Sequence, residues 1–385
     1  MLRYTGRKAG FAQRTQAEVS STPFLPEVDT GKWRSPVTQS AIKHDIQKFS
    51  NLTKEPDCPF LRAAIAKTYN AFRLPQPVKM IHLNDVFQQD LDIWDKSPGL
   101  PWKEQGYKTK NDIRKDPEAV RRVRYFAHKI KNGIQMSPPD CMANVRSHVC
   151  PRDERKIRAI WGYPATITFI EGMFALPLIR AYQEKQNPIA YGYETAIGGA
   201  RRVCRRFANG RKFAALDFSG FDKTVPAWLI KYAFMILQSN IDFVNYEDHG
   251  VADAERMIRL WNYLVRYFIY TPIRTADGHC FRKSSGVASG SYFTQLIDSV
   301  CNHILCEWIC LTQDVELKDL LVMGDDSILN VGVSFSLREA CALVETIGMK
   351  INLSKSQVTD ELYTLKFLGY SLGGGCPFKQ HDDWC

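Results

Sequence analysis

The sequence predicts an α+β fold, with antiparallel strand pairs covered on one side by helices. Three observations carry that expectation. Short apolar runs meet at Gly-Asp or Asp-Gly turns, in "LVMGDDSILNV" at 321–331 and "YTPIRTADGHCFRKSSG" at 270–286, and such dipeptides suit hairpins. Longer stretches, at 164–182, 254–270, about 291–311 and 336–348, repeat apolar residues with helical spacing. Strands and helices come in groups, without the regular alternation of a doubly wound sheet.

In chain order, residues up to about 50 are polar and broken by Pro, Ser and Thr, which predicts an extended arm. Its start holds Arg3, Arg7, Lys8 and Arg14 before the first acid, Glu18. That pattern fits a flexible basic arm or a mitochondrial targeting segment. From 55 to 150 short helical patterns alternate with breaks such as "NAFRLPQPVK" and "SPGLPW". "RDERKIRAIWGYP" at 152–164 reads as a basic ribbon entering a strand, and 164–182 as a helix. A basic helix follows, with six basic residues and no acid over 199–212. "RKFAALDFSGFD" at 211–222 is an apolar strand ending in acids, and Pro226 opens the next helix. After the long helix and the 321–331 hairpin come a helix over 336–348 and a strand pair in "LYTLKFLGYSL". No internal repeat or low-complexity tract is present.

A chain of 385 residues accommodates two or three domains, or one large fold with subdomains. Apolar residues at 45% and aromatics at 12% supply a core and exclude a disordered protein. The net charge of +10 points to an anionic partner, or to solubility alone. No apolar run approaches the ~20 residues of a membrane span. Eleven cysteines at irregular spacing, without a Cys-x-x-Cys pair or a secretory leader, predict reduced thiols. Cys301, Cys306 and Cys310 read as packing residues, and His303 beside them lacks the spacing of a zinc site.

Asp325 and Asp326 raise a sharper question, because adjacent carboxylates repel and are costly to bury unpaired. Either the turn faces solvent or a divalent cation cancels the charge. Asp217 closes an apolar strand, with Asp222 five positions on past a Ser-Gly turn. Carboxylates on two neighbouring strands suit a pair of magnesium ions, which take hard oxygen ligands and leave positions for phosphates. The alternative is two unrelated acidic turns. Between them, Gly286, Ser289 and Gly290 give a flexible loop and a helix starts near Ser291. Thr294, Asp298 and Asn302 share one face of that helix, where they bond their neighbours or read a sugar hydroxyl.

The order D-x4-D, S-G-x3-T, G-D-D resembles the palm of viral RNA-dependent RNA polymerases. "SGVASGSYFTQLIDSVCN" and "IRAIWGYP" are similar to the partitivirus group and its double-stranded RNA relatives, and the resemblance spans about residues 97–372. It implies a right-hand fold with fingers, an antiparallel-sheet palm and a thumb largely missing. The implied division is an arm at 1–50, fingers at 51–212 with 257–284 contributing, palm at 213–256 and 285–372, and a thumb start at 373–385.

Residue by residue, the resemblance implies that Ser97, Pro98, Gly99 and Arg152 guide template. Lys156 and Arg158 would hold the triphosphate. Asp217, Asp325 and Asp326 would be catalytic metal ligands for two magnesium ions, with manganese able to substitute. Ser289, Gly290 and Thr294 would position template and nucleotide, and Asp222, Asp298 and Asn302 would sense the ribose. Lys355 in "KINLSKSQ" would be the general acid for pyrophosphate, and "LKFLGY" would grip the primer end. Implied partners are RNA template and product, nucleoside triphosphates and a capsid protein, in the virion interior or host cytoplasm.

Two departures stand out. Asp298 occupies a position where the wider pattern has Asn. The chain also stops soon after the primer-grip match, so the expectation is a fragment of a longer polymerase, or one whose groove a partner completes, that elongates poorly. Two rivals are weaker. A reverse transcriptase usually reads Tyr-x-Asp-Asp where this chain has Met323-Gly324-Asp325-Asp326, and a non-enzymatic RNA-binding protein leaves the separated acids unexplained.

Overall fold

The computed structural model describes residues 1–7, 10, 18–19, 31–184, 186–248 and 250–378. Lys8, Arg14 and the terminal 379–385 lie outside the described residues. The architecture is mixed α+β, in two compact units that each draw on three stretches of chain.

One unit comprises residues 1–50, 82–173 and 252–291. Its five-stranded sheet runs Arg3–Tyr4, His279–Arg282, Pro272–Arg274, Cys141–Ser147, Ile157–Gly162, with one parallel pairing between Pro272–Arg274 and Cys141–Ser147. The basic ribbon at 152–164 thus becomes an edge strand, with Arg158 opposite Arg146 and Ser147 opposite Ile157. Helices Pro117–Lys131 and Ala254–Ile269 pack together. Both start on an aspartate, Asp116 and Asp253, whose side chain accepts a backbone N–H of the first turn. Asp140 is nearly fully buried, and its carboxylate is paired with both Arg3 and Arg274.

The extended arm expected up to residue 50 is interrupted by a helix, Gln39–Gln47. Thr38 caps it, Ile42 and Ile46 bury their side chains, and buried Asp45 accepts the Ala159 N–H at 2.8 Å. Two apolar residues four apart are enough to seat a helix of this length on a strand, and they are easily lost among polar neighbours.

The second unit comprises 51–81, 174–251 and 292–385, as far as described. The expected fingers, 51–212, are therefore shared between the two units. The physical reason for residues 51–81 is helix Pro59–Ala71, which packs along the long helix Thr294–Thr312. Thr68 and His303 are hydrogen-bonded there at 2.9 Å, and burial pushes His303 down to about 3, so its ring is neutral. Cys301, Cys306 and Cys310 are buried packing residues. The long helix begins at Thr294 rather than near Ser291, whose hydroxyl instead donates to the Glu171 carboxylate at 2.8 Å.

A four-stranded antiparallel sheet organises this unit in the order Leu317–Met323, Asp326–Val331, Phe213–Ala215, Gln357–Thr359. Leu321, Val322, Ile328, Leu329 and Ala214 are fully buried in it. Each large side chain contributes about 1.5–3 kcal/mol of burial, which locks the register, since a one-residue slip would turn the apolar set outward. The last strand pair is shorter than expected, Lys366–Phe367 with Tyr370–Ser371, after one helical turn at Leu362–Thr364. Among the described residues no helix is long and apolar enough to cross a membrane.

Candidate active site

The hairpin Leu317–Val331 turns at Gly324 and Asp325, with Met323 paired to Asp326. Its second strand pairs with Phe213–Ala215, and Ile328 lies opposite Ala215. Continuing that register by two residues places Asp217 level with Asp326. The Asp217 peptide is fixed on both sides: its N–H donates to the Ser356 hydroxyl at 2.9 Å, and its carbonyl accepts the Asn352 N–H at 2.7 Å. The loop that fixes it also carries Lys355.

These residues meet at one cavity of about 310 Å³, lined by Asp217, Asp326, Lys355 and Lys366 among others. Asp325 sits on the exposed tip of the hairpin. The Asp326 carboxyl is pushed up to about 6, first by burial and then by the charges of Asp325 and Asp217. The Asp326 carboxyl therefore feels both neighbouring carboxylates, and a cation placed among them would relieve that repulsion. Among the described residues no three His, Cys, Asp or Glu side chains close on a single point as a complete cage. Magnesium does not require one, because it takes one or two carboxylates and completes its shell with water and phosphate oxygens. The donor set fits such an ion.

The helix Thr294–Thr312 carries Thr294, Asp298 and Asn302 at intervals of four. Asn302 is fully buried, and its amide donates to the carbonyls of Gly324 and Asp326 at 3.0 and 3.2 Å. Its partners are thus the hairpin backbone, not solvent. Asp222 falls in a single helical turn, Phe221–Thr224, after Gly220.

The remaining predicted residues belong to the other unit. Arg158, Lys156 and Arg152 are exposed. Arg158 lies directly across from Arg146, an arrangement of like charges that destabilises a strand pair unless an anion sits on it. Burial and the charges of Arg158, Arg146, Lys156 and Arg34 all hold His148 below its ordinary value. Nothing local in the sequence marks Arg146 and Arg34, since only strand pairing brings them beside His148. Ser289 accepts the Trp161 N–H at 3.2 Å, and a Cβ on Gly290, at φ +97°, would lie 2.7 Å from the Trp161 carbonyl. The loop at 289–290 is thereby seated on the Arg158 strand. Gly99 has φ +66°, a Cβ there would strike the Tyr163 carbonyl, and the Pro98 carbonyl accepts the Ala165 N–H at 2.8 Å. Lys110, which no sequence motif marks, donates to the Ser97 carbonyl at 2.6 Å, and burial pushes its amine down to about 8.

A larger cavity of about 440 Å³ lies in this same unit, against Arg121, Arg124, His128 and Lys131. It is lined by three Arg and Lys side chains and no carboxylate, so the Asp217–Asp326 cavity is the candidate for magnesium-dependent chemistry.

Comparison with known proteins bears on what that chemistry is. The sequence profile of a family described as viral RNA-dependent RNA polymerase matches residues 12–379. The RNA-directed RNA polymerase of Cryptosporidium parvum virus 1 (strain KSU-1) is 28% identical over 286 residues, covering 71% of this chain and 50% of that protein. That of Atkinsonella hypoxylon virus (isolate 2H) is 29% identical over 280 residues, covering 61% and 42%. That of White clover cryptic virus 1 (isolate Boccardo/2004) is 26% identical over 300 residues, covering 67% and 48%. The chain spans about half the length of the curated relatives it matches.

Proposed function

The chain belongs to the viral RNA-dependent RNA polymerase family, and from that premise we propose that it carries the catalytic portion of a polymerase that copies an RNA template from nucleoside triphosphates. The observation that carries this reading is the pair Asp217, two residues past the strand Phe213–Ala215, and Asp326, on the strand paired with it, lining one cavity with Lys355. Asp217, Asp325 and Asp326 would hold two magnesium ions, or manganese in their place. Bound there, the metals would stabilise charge on the attacking 3′ oxygen and on the leaving pyrophosphate.

The chain's own residues supply the rest. Fixing the Asp217 peptide through Ser356 and Asn352 orients its carboxylate before any ligand arrives. Lys355, exposed at the cavity, would deliver a proton from Nζ to the departing pyrophosphate. Lys366, from the proposed primer-grip hairpin, lines the same space. Lys156 and Arg158, joined by Arg146, would bind the triphosphate, where a guanidinium fork pairs with phosphate oxygens. Ser289, Gly290 and Thr294 would position nucleotide and template, Asp222 and Asp298 would face the ribose, and Ser97, Pro98, Gly99 and Arg152 would guide template. Residues 51–212 with 257–284 would form fingers, 213–256 and 285–372 the palm, and 373 onward the start of a thumb. A capsid partner, and work in the virion interior or host cytoplasm, follow from the same family reading.

Primer extension on an RNA template, with and without magnesium, tests it. Asp217→Ala or Asp325→Ala should cut nucleotide addition at least ~100-fold, about 2.7 kcal/mol of transition-state stabilisation, while RNA binding survives. A variant that stays within about tenfold of wild type refutes the ligand assignment. Preference for deoxynucleotides would point to a reverse transcriptase, and RNA binding without any extension to a non-enzymatic role.

A further inference from the structure

The turn that carries Asp325 and Asp326 rests on one face of the helix Thr294–Thr312, made by Gln295, Ser299 and Asn302 at helical spacings of four and three. The Gly324 N–H donates to the Ser299 hydroxyl at 2.9 Å. The Asn302 amide donates to the Gly324 carbonyl at 3.0 Å and to the Asp326 carbonyl at 3.2 Å. Both side chains are fully buried, at 0% exposure. The Ser299 hydroxyl in turn donates to the Gln295 backbone carbonyl at 2.7 Å, and the Asn302 side-chain oxygen accepts from the Cys306 thiol at 3.4 Å. Gly324 itself has φ +64°, and a Cβ there would lie 3.1 Å from the Gln295 amide nitrogen.

A hairpin tip usually leaves its peptide groups to water and moves with its strands. Here the N–H and the C=O of Gly324 are both held by buried side chains of a packed helix. That matters because the turn carries like charges next to Asp217. Before a cation binds, repulsion drives Asp325 and Asp326 away from Asp217 and from each other. A turn free to swing would relax outward, and the cation would have to gather its ligands again.

We infer that Ser299 and Asn302 are positioning residues, which latch the Gly324–Asp326 backbone to the helix and hold the carboxylates in place for a divalent cation. This inference rests on the polymerase reading above. It also commits the Asn302 amide to the hairpin, so ribose discrimination falls to Asp298 and Asp222.

The test uses the full chain and the variants Ser299→Ala, Asn302→Ala and Ser299→Thr, which retains the hydroxyl. Hydrogen exchange of the peptide spanning the 317–331 hairpin should accelerate about tenfold in both alanine variants. Exchange in helix Ala254–Ile269 should stay at the wild-type rate and report an intact fold. Mn²⁺ affinity, read from the free-ion electron paramagnetic resonance signal without nucleotide, should fall about 10–100-fold, and kcat should fall with it. The nucleotide KM should stay within about threefold, since the triphosphate contacts are untouched. Ser299→Thr should recover Mn²⁺ affinity. Unchanged hairpin exchange in both alanine variants overturns the inference. So does faster exchange with wild-type Mn²⁺ affinity and kcat, or an Asn302→Ala variant altered only in its choice between ribo- and deoxynucleotides. If the wild-type chain fails to extend primers, the polymerase reading fails, while hairpin exchange and Mn²⁺ affinity still decide the latch.

Discussion

Asp326→Asn should make the metal-free protein more stable at neutral pH and leave its stability unchanged near pH 3. The Asp326 carboxyl is pushed up from 3.8 to about 6, by burial first and then by Asp325 and Asp217. A rise of about two pH units, at 1.36 kcal/mol each, corresponds to about 3 kcal/mol against the folded state. The cavity is open to solvent, which screens part of the repulsion and leaves about 1–2 kcal/mol. The sign follows from linkage. Below the unfolded value both states are protonated and nothing is lost. Between 3.8 and about 6 the unfolded chain ionises while the folded one keeps its proton, and above about 6 the whole penalty is in place. Asparagine stays neutral throughout, so its gain grows over that window and then levels off. Thermal melts in chelator should show it as an increase of about 2–4 °C at pH 8 and none at pH 3. Magnesium should narrow the gap, because the cation removes the same penalty from the wild type. A gain of equal size at both pH values, or a loss at pH 8, would refute the electrostatic account.

Three further outcomes follow from the other unit. Arg158→Ala should raise the nucleotide KM about 10–100-fold, the worth of a charge-assisted phosphate contact, and steady-state kinetics that locate the loss in RNA affinity alone would move Arg158 to the template. Arg146→Ala should raise the same KM and yet stabilise the strand pair by a few tenths of a kcal/mol, since it relieves a cross-strand repulsion. Gly290→Ala should cost about 1–3 kcal/mol in thermal or urea melts, because it forces a side chain at φ +97° towards the Trp161 carbonyl. A melt within a few tenths of wild type would show that the loop shifts freely.

The features legible in the sequence were those written locally. Gly324 and Asp325 between two apolar runs specify a hairpin tip, and Asp217 at the end of "KFAAL" specifies a carboxylate at a strand end. Their union needed only that the two strands be neighbours. What stayed hidden depends on register or on partners far along the chain. Arg146 acquires meaning only opposite Arg158, twelve positions later. Ser299 looks like a polar gap in an apolar helix until the Gly324 N–H lands on it. Asn302 shares a helical face with Asp298, but periodicity cannot say that its amide meets the carbonyls of Gly324 and Asp326. Lys110 is buried and its amine donates to the Ser97 carbonyl, a partner that nothing local in the sequence marks.

The strand pairing of Arg3–Tyr4 with His279–Cys280 has a consequence for how the chain acquires its structure. Arg3 and Tyr4 await partners that leave the ribosome more than 270 positions after them. Each unit is threaded through the other in sequence, with segment 82–173 completed only once 252–291 has appeared. Neither can fold as a finished block during translation, and both depend on closures across long separations, the slow class of folding event. In the interval the buried faces of Cys141–Ser147 and Phe213–Ala215 stand open, so the nascent protein should lean on chaperones, and expression at lower temperature should favour soluble product over aggregate.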